Sequence, residues 1–248
     1  MQTLGLNAEK NMHLNIKSFE TMRNDAVSIF QAGLDAVEPA ASVHRHCKCI
    51  GNRLHIAGRR FDLGNVNRIF VVGAGKASAL MAVALEELLG NRITDGIITV
   101  KYGHGVRLRR IELIEAGHPL PDYAGQKGAK SILRIAQKAS EGDLIFCLIS
   151  GGGSALMPLP APGIRLSDKQ KTSEILIACG ATIHEINAIR KHISAIKGGQ
   201  LARIAAPATL ISLILSDVMG DNVDVIASGP TAPDPTTFTG CLHIIEKY

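Results

Sequence analysis

The chain has 248 residues, 46% of them hydrophobic and 20% charged, proportions that build a globular core and exclude a disordered or fibrous chain. Lys and Arg outnumber Asp and Glu by 27 to 22, a formal charge of +5. The densest basic stretch is Arg107 to Arg110, and aromatic residues are 4% with no Trp, so neither a phosphate-backbone patch nor base-stacking platforms for nucleic acid are expected. A small anionic substrate suits this mild charge. The 5 cysteines form no framework spacing, no secretory signal pattern opens the chain, and no apolar run nears the ~20 residues of a membrane span, so a cytoplasmic protein free of the membrane is expected.

Residues 1–17 read as a frayed leader. From Ser18 to about Val37 the apolar residues Phe19, Met22, Ala26, Ile29, Phe30 and Leu34 follow helical spacing, and Pro39 is expected to end that helix. Residues 42–65 are short, polar and basic and read as a small hairpin. A βα rhythm then begins. A β-branched strand at Arg68 to Gly73 is followed by a helix that Gly90 ends. Strands follow at Gly96 to Val100 and Ile111 to Ala116. Asp122 caps a helix running to about Ala139 with the apolar stripe Ala129, Ile132, Leu133 and Ala136. Asp143 to Ser150 is a continuous apolar run, as in a central strand covered on both faces. Ser167 with Gln170 and Thr182 with Glu185 read as capping boxes that open two helices. Ala208 to Ser216 reads as one more buried strand. Strands alternating with helices predict an α/β fold, Rossmann-like and doubly wound, with a mainly parallel sheet and helices on both faces.

In such a sheet ligands bind at the carboxyl ends of the strands. Three loops there are unusual. The first holds Gly73, Gly75 and Lys76, a tight turn before a helix N-terminus where a cation could reach an anion. It meets neither the dinucleotide fingerprint, since Ser78 replaces the third Gly, nor the Walker A pattern, since Phe70 replaces its first Gly and Ala77 follows Lys76. The second holds Gly151, Gly152 and Gly153, a backbone nest suited to phosphate oxygens, with the Ser154 hydroxyl beside it. The third holds Asp217 and Asp221, oxygen ligands of the kind that hold Mg²⁺ together with a nucleotide. On the helix after Thr182, Asn187, Arg190, Lys191 and Ser194 form a polar stripe in which Arg190 could grip a carboxylate or phosphate through two bonds. Lys197 follows, and His118 sits in a loop after a strand. His44, His46, Cys47 and Cys49 lack the second ligand pair of a zinc finger.

Taken together, "VVGAGKAS", "EAGHPLPD", "LISGGGSALMPLP", "INAIRKHISAIKGGQLA" and "SDVMGDNVDVIASGPTAPDPTTF" resemble the glycerate 2-kinases that carry a C-terminal MOFRL domain, in order and spacing from about Phe19 onward. The resemblance implies ATP-dependent phosphorylation of D-glycerate to 2-phosphoglycerate with Mg²⁺, in a cleft between an N-terminal α/β domain and the C-terminal domain. Residues 18–248 would be that N-terminal domain, and the absence of the MOFRL segment implies an incomplete cleft. The resemblance also implies catalytic roles for Lys76 and Arg190, and the residues themselves suggest nucleotide contacts from Gly73, Gly75, Gly151, Gly152, Gly153, Ser154 and Lys197. His118, Asn187 and Lys191 would bind substrate, and Asp217 and Asp221 the metal. The partners are then glycerate and nucleotide, with room for a homodimer. Two other readings stand beside it: an NAD(P)H-dependent hydroxypyruvate reductase, a name some members carry, and an inactive nucleotide-binding fragment. Against the reductase, the second strand ends in Val100 and Lys101 rather than in the usual ribose-binding acid.

Overall fold

The computed structural model describes residues 13–248, with side chains from Ser18 onward. Helices α1 (His13–Ala36) and α2 (Pro39–His46) precede a small antiparallel sheet of β1 (Cys47–Ile50), β2 (Arg53–Ile56) and β3 (Arg59–Asp62). The alternating part follows as β4 (Ile69–Ala74), α3 (Ser78–Leu89), β5 (Ile93–Lys101), β6 (Glu112–Ala116), α4 (Tyr123–Lys138) and β7 (Leu144–Ser150). Then come α5 (Gly153–Leu156), α6 (Leu166–Ala178), α7 (Ile183–His192), α8 (Gln200–Ala205), β8 (Thr209–Leu215) and α9 (Phe238–Lys247).

The five strands β4 to β8 form one sheet, every neighbouring pair parallel, in the order β6-β5-β4-β7-β8. Alternate residues of its central strands feed two cores. Val71, Phe146 and Leu148 pack with Ala82 and Leu85 of α3 on one face. Phe70, Val72, Ile145 and Cys147 pack with Ala129, Ile132 and Ala136 of α4 on the other. Every residue of β4 and β7 is therefore buried, which accounts for their unbroken apolar sequence. The doubly wound expectation holds. From β4 the chain builds outward to β5 and β6, and then returns to the other side for β7 and β8, so the strand order reverses between β4 and β7 while all strands stay parallel. The crevice outside the carboxyl ends of those two strands is the place where such folds bind ligands.

Several local expectations change. The leader expected over residues 1–17 lies outside the described residues as far as residue 12, and residues 13–17 already belong to α1. Pro39 does not end a helix but opens one, at the first position of α2, where its missing N–H costs nothing. The expected hairpin is a three-stranded sheet. Helix α6 begins one residue earlier than its supposed cap Ser167, with Asp168 Oδ2 accepting from the Arg165 amide at 3.0 Å. Gln170 instead donates to the Pro121 carbonyl at 2.6 Å. The Thr182 and Glu185 box is as expected. Strand β8 lies at the sheet edge and is half-buried, because its apolar sequence matches that of a central strand but only one side has a neighbour.

An ion pair ties the amino ends of the two central strands together. Arg68 donates to Asp143 through Nε at 3.1 Å and Nη2 at 2.6 Å, and the Ser140 amide donates to the same carboxylate at 2.8 Å. Burial pushes the Asp143 carboxyl up, but the Arg68 and Ser140 hydrogen bonds outweigh it and hold the group below its usual range. Its stabilisation is thus complete above the unfolded carboxyl value of about 4 and is lost as pH falls through the lower folded value. Arg68→Met leaves a buried carboxylate without its cation and should destabilise the protein near neutral pH. The deficit should shrink in acid, where the protonated group needs no cation. Urea unfolding of both proteins at the two pH values measures the difference.

Candidate functional site

The two glycine loops meet at the crevice, and they do different work. In the β4–α3 turn every amide is already used: Gly75 donates to the Thr99 carbonyl at 3.1 Å, Lys76 to Gly151 at 2.9 Å, Ala77 to Ser150 Oγ at 3.0 Å and Ser78 to Gly75 at 3.2 Å. A Cβ on Gly73 would overlap the Leu148 carbonyl, and one on Gly75 would overlap Ser150. These glycines, expected to approach a nucleotide, serve the close packing of β4 and its turn against β7. The β7–α5 loop is the open one. Gly152 has φ 88°, and the first-turn amides of Gly153 and Ser154 have no acceptor within so short a helix. A Cβ on Gly152 would stand 2.9 Å from the His118 ring and 3.4 Å from Lys76 Cγ, so both side chains converge on bare backbone. A Cβ on Gly151 would overlap the Asp217 carboxylate, which places Asp217 at the same loop. Asp221 lies farther on, exposed at φ 50° with its amide donating to Val218 at 3.1 Å.

Behind this loop lies a layer that the polar residues of the sequence do not announce. Lys197 is fully buried, and its Nζ donates to the Ser154 carbonyl at 2.8 Å, to Ser154 Oγ at 2.8 Å and to the Ala227 carbonyl at 3.4 Å. Burial, followed by the charges of Lys169 and Arg190, pushes it well below the usual lysine range. Ser154 Oγ also meets Ser228 Oγ at 2.9 Å, and Ser228 donates to Asn187 Oδ1 at 3.3 Å. Lys197 and Asn187, expected to touch nucleotide and substrate, stand one layer back, behind the glycine loop, where they bond to Ser154 and Ser228.

In front of the loop is a cavity of about 350 Å³. Gly152, Ser154 and His118 form one wall, and Lys169, Ser173 and Arg190 another. Arg190 is half-buried, with Nε donating to Ser173 Oγ at 3.2 Å, and burial lowers its affinity for protons. Burial and the charges of Lys76 and Lys101 hold His118 below the usual imidazole range, which favours its neutral form. Lys169 is a residue that sequence reading missed. It shares the inner face of α6 with Leu176, seven positions on, and that shared spacing was the available signal.

Lys191, expected to bind substrate, turns the other way. It is buried and pairs with Asp224 at 3.0 Å and Asp234 at 3.3 Å. Asp234 also accepts from the Thr236 amide at 2.9 Å. The ammonium thus clasps two points of the long segment between β8 and α9 onto α7. Among the described residues no group of three or more His, Cys, Asp or Glu could hold a metal ion. No described helix is long and apolar enough to cross a membrane.

Comparison with known proteins gives this geometry a context. The family model described as "Domain of unknown function (DUF4147)" matches residues 25–248. The chain is 44% identical over 227 residues to the glycerate 2-kinase of Pyrococcus horikoshii, covering 92% of this chain and 50% of that one. It resembles a solved structure of a Pyrococcus horikoshii protein with a TM-score of 0.85, at 44% identity over 92% of this chain and 51% of that one. It resembles the crystal structure of glycerate kinase from Thermotoga maritima with a TM-score of 0.81, at 38% identity over 92% of this chain and 52% of that one. The chain therefore spans about half the length of the relatives it matches.

The clasp has a direct test. Lys191→Met places two carboxylates beside each other without their cation and should cost about 2 kcal/mol. Hydrogen exchange should quicken at the amides around Asp224 and Thr236 while the β4 and β7 amides stay protected. Unchanged exchange there would mean that the segment is held by other contacts.

Proposed function

Since the chain belongs to the DUF4147 family, we propose that residues 18–248 are the N-terminal α/β half of an ATP-dependent kinase that phosphorylates D-glycerate to 2-phosphoglycerate. The observation that carries this reading is one of adjacency. A loop of open backbone amides and a small cavity lined by cations share Gly152 and Ser154. Phosphoryl transfer needs little more from a protein than such positioning and neutralisation of charge. The names of the relatives supply the substrate.

In this reading the Gly151–Gly153 loop holds the ATP phosphates, with the Ser154 hydroxyl as a further donor. The loop fits phosphate oxygens because a side chain on Gly152 would strike His118. Lys76, exposed at the rim beside Gly152, faces the transferring phosphoryl group, and Arg190 faces the acceptor from across the cavity. His118, whose neutral form burial favours, accepts a hydrogen bond from the 2-hydroxyl and can take its proton as the oxygen bonds to phosphorus. Mg²⁺ is commonly held by one or two carboxylates together with substrate phosphates, so the single carboxylate at the loop, Asp217, fits it. When bound, the ion would offset phosphate charge. Asp221 belongs to the same acidic turn and is the weaker candidate. The five free thiols suit the cytoplasm. The exposed apolar residues Phe19, Ile29 and Phe30 of α1 suit a homodimer.

The reductase reading gains nothing from the geometry, because the glycine turn that suggested it has no free amide left for a dinucleotide. The test is the purified protein with ATP, Mg²⁺ and D-glycerate, with ADP release followed and the product identified by phosphorus NMR. Lys76→Ala and Arg190→Ala should each lower the rate about 100-fold or more. Oxidation of NADH by hydroxypyruvate without phosphoryl transfer, or near-normal kinase rates in both variants, would overturn the proposal.

A further inference from the structure

The cavity in front of the glycine loop is lined by cations that no carboxylate among the described residues pairs with. Lys169 is 4% exposed, yet its Nζ makes one hydrogen bond, to the Arg190 carbonyl at 3.1 Å. An ammonium has three donors, so the remaining two are left for the cavity that Lys169 lines. Arg190 uses its Nε on Ser173. Among the described residues no carboxylate forms an ion pair with Lys169, Arg190 or Lys197. The acid lining the cavity, Glu174, reaches toward Lys171 at 3.7 Å. Buried charge without a partner is costly, and proteins seldom keep it without a use. Lys191, a few residues away, shows the usual solution with its two aspartates.

We propose that Lys169 and Arg190 form a subsite for a single carboxylate, which takes the acid group of a short 2-hydroxy acid. This rests on the kinase reading and names the group that selects its acceptor. The site separates two anions by chemistry. Phosphates need many donors in a ring and find them in the backbone loop, whereas one carboxylate needs two cationic donors side by side. A cavity of about 350 Å³ is near the small end of ligand pockets and suits an acceptor of few heavy atoms. A neutral polyol of the same size would leave both cations without a partner, so it would be rejected. The balance of protons supports this. Burial and the Arg190 charge push Lys169 down to about 7. The groups around it are Arg190 from α7, Lys197 from the segment before α8, His118 from the β6–α4 loop and Glu174 from its own helix, so an incoming carboxylate is what restores its proton.

The experiment is calorimetric titration of the whole protein with D-glycerate, D-lactate, glycolate and glycerol. It is run on the natural protein, Lys169→Met and Lys169→Arg, with thermal unfolding measured alongside. We expect the three acids to bind and glycerol not to bind. Lys169→Met should weaken the acids about ten- to hundredfold, Lys169→Arg should restore part of the loss, and nucleotide affinity should stay as it was. The Met variant should melt at or above the natural temperature, since it removes an unpartnered buried charge, whereas a purely structural lysine would lower it. Acid binding to the natural protein should weaken as pH rises above about 7 while the Met variant stays flat. Unchanged glycerate affinity in Lys169→Met would overturn the subsite and leave the kinase reading standing. Equal, Lys169-dependent binding of all three acids without phosphoryl transfer to any would uphold the subsite and remove the kinase reading.

Discussion

The crevice depends on one buried amine. Lys197 has no contact with solvent, and its three hydrogen bonds join the first turn of α5 to the turn at Ala227. That turn is strained. Ala227, Ser228 and Gly229 follow one another at φ 52°, 60° and 56°, and a residue other than glycine held in this region costs about 1–3 kcal/mol. The strain persists because partners fix it on every side. Gly198 donates to the Ser228 carbonyl at 3.1 Å, Gly199 to Gly229 at 2.7 Å, and Ser154 meets Ser228. A Cβ on Gly153 would stand 2.9 Å from the Ala227 side chain, so the shape of the open glycine loop is set from behind by this turn.

Charge is arranged in two ways around that frame. Where a cation holds the fold together it has its own carboxylates: Arg68 has Asp143, and Lys191 has Asp224 and Asp234. Where cations face the cavity they have backbone and hydroxyl oxygens instead. The first arrangement gives stability that needs no ligand. The second leaves cations without a carboxylate partner among the described residues, and in the proposed reading that is the preorganised state that anion binding and phosphoryl transfer require. The mild positive charge of the whole chain says nothing about this division, because it depends on which lysines have neighbours.

The same distinction explains which parts of the site could be read early. The three glycines after β7 were legible as an unusual loop because they follow a buried apolar run directly, and Asp122 and Thr182 were legible as caps because capping depends on residues within one turn. Gly73 and Gly75 were legible as special but misread in purpose, since the atoms that require them, on Leu148 and Ser150, are over 70 residues away. Pro39 was read as a stop because proline is equally suited to the first position of a new helix.

By itself the sequence determined the α/β class and the chain order of the five parallel strands with α3, α4, α6 and α7 among them, and it marked the glycine loops at their carboxyl ends as unusual. Those follow from hydrophobic period and local turn chemistry, which act over a few residues. Only the tertiary structure decided the partners. It sent Lys191 to two aspartates, Lys197 and Asn187 behind the glycine loop, and Lys169 into the cavity. A lysine has the same formula in all these settings. Its function depends on how much water it loses and which oxygens replace that water, and only the folded chain determines both.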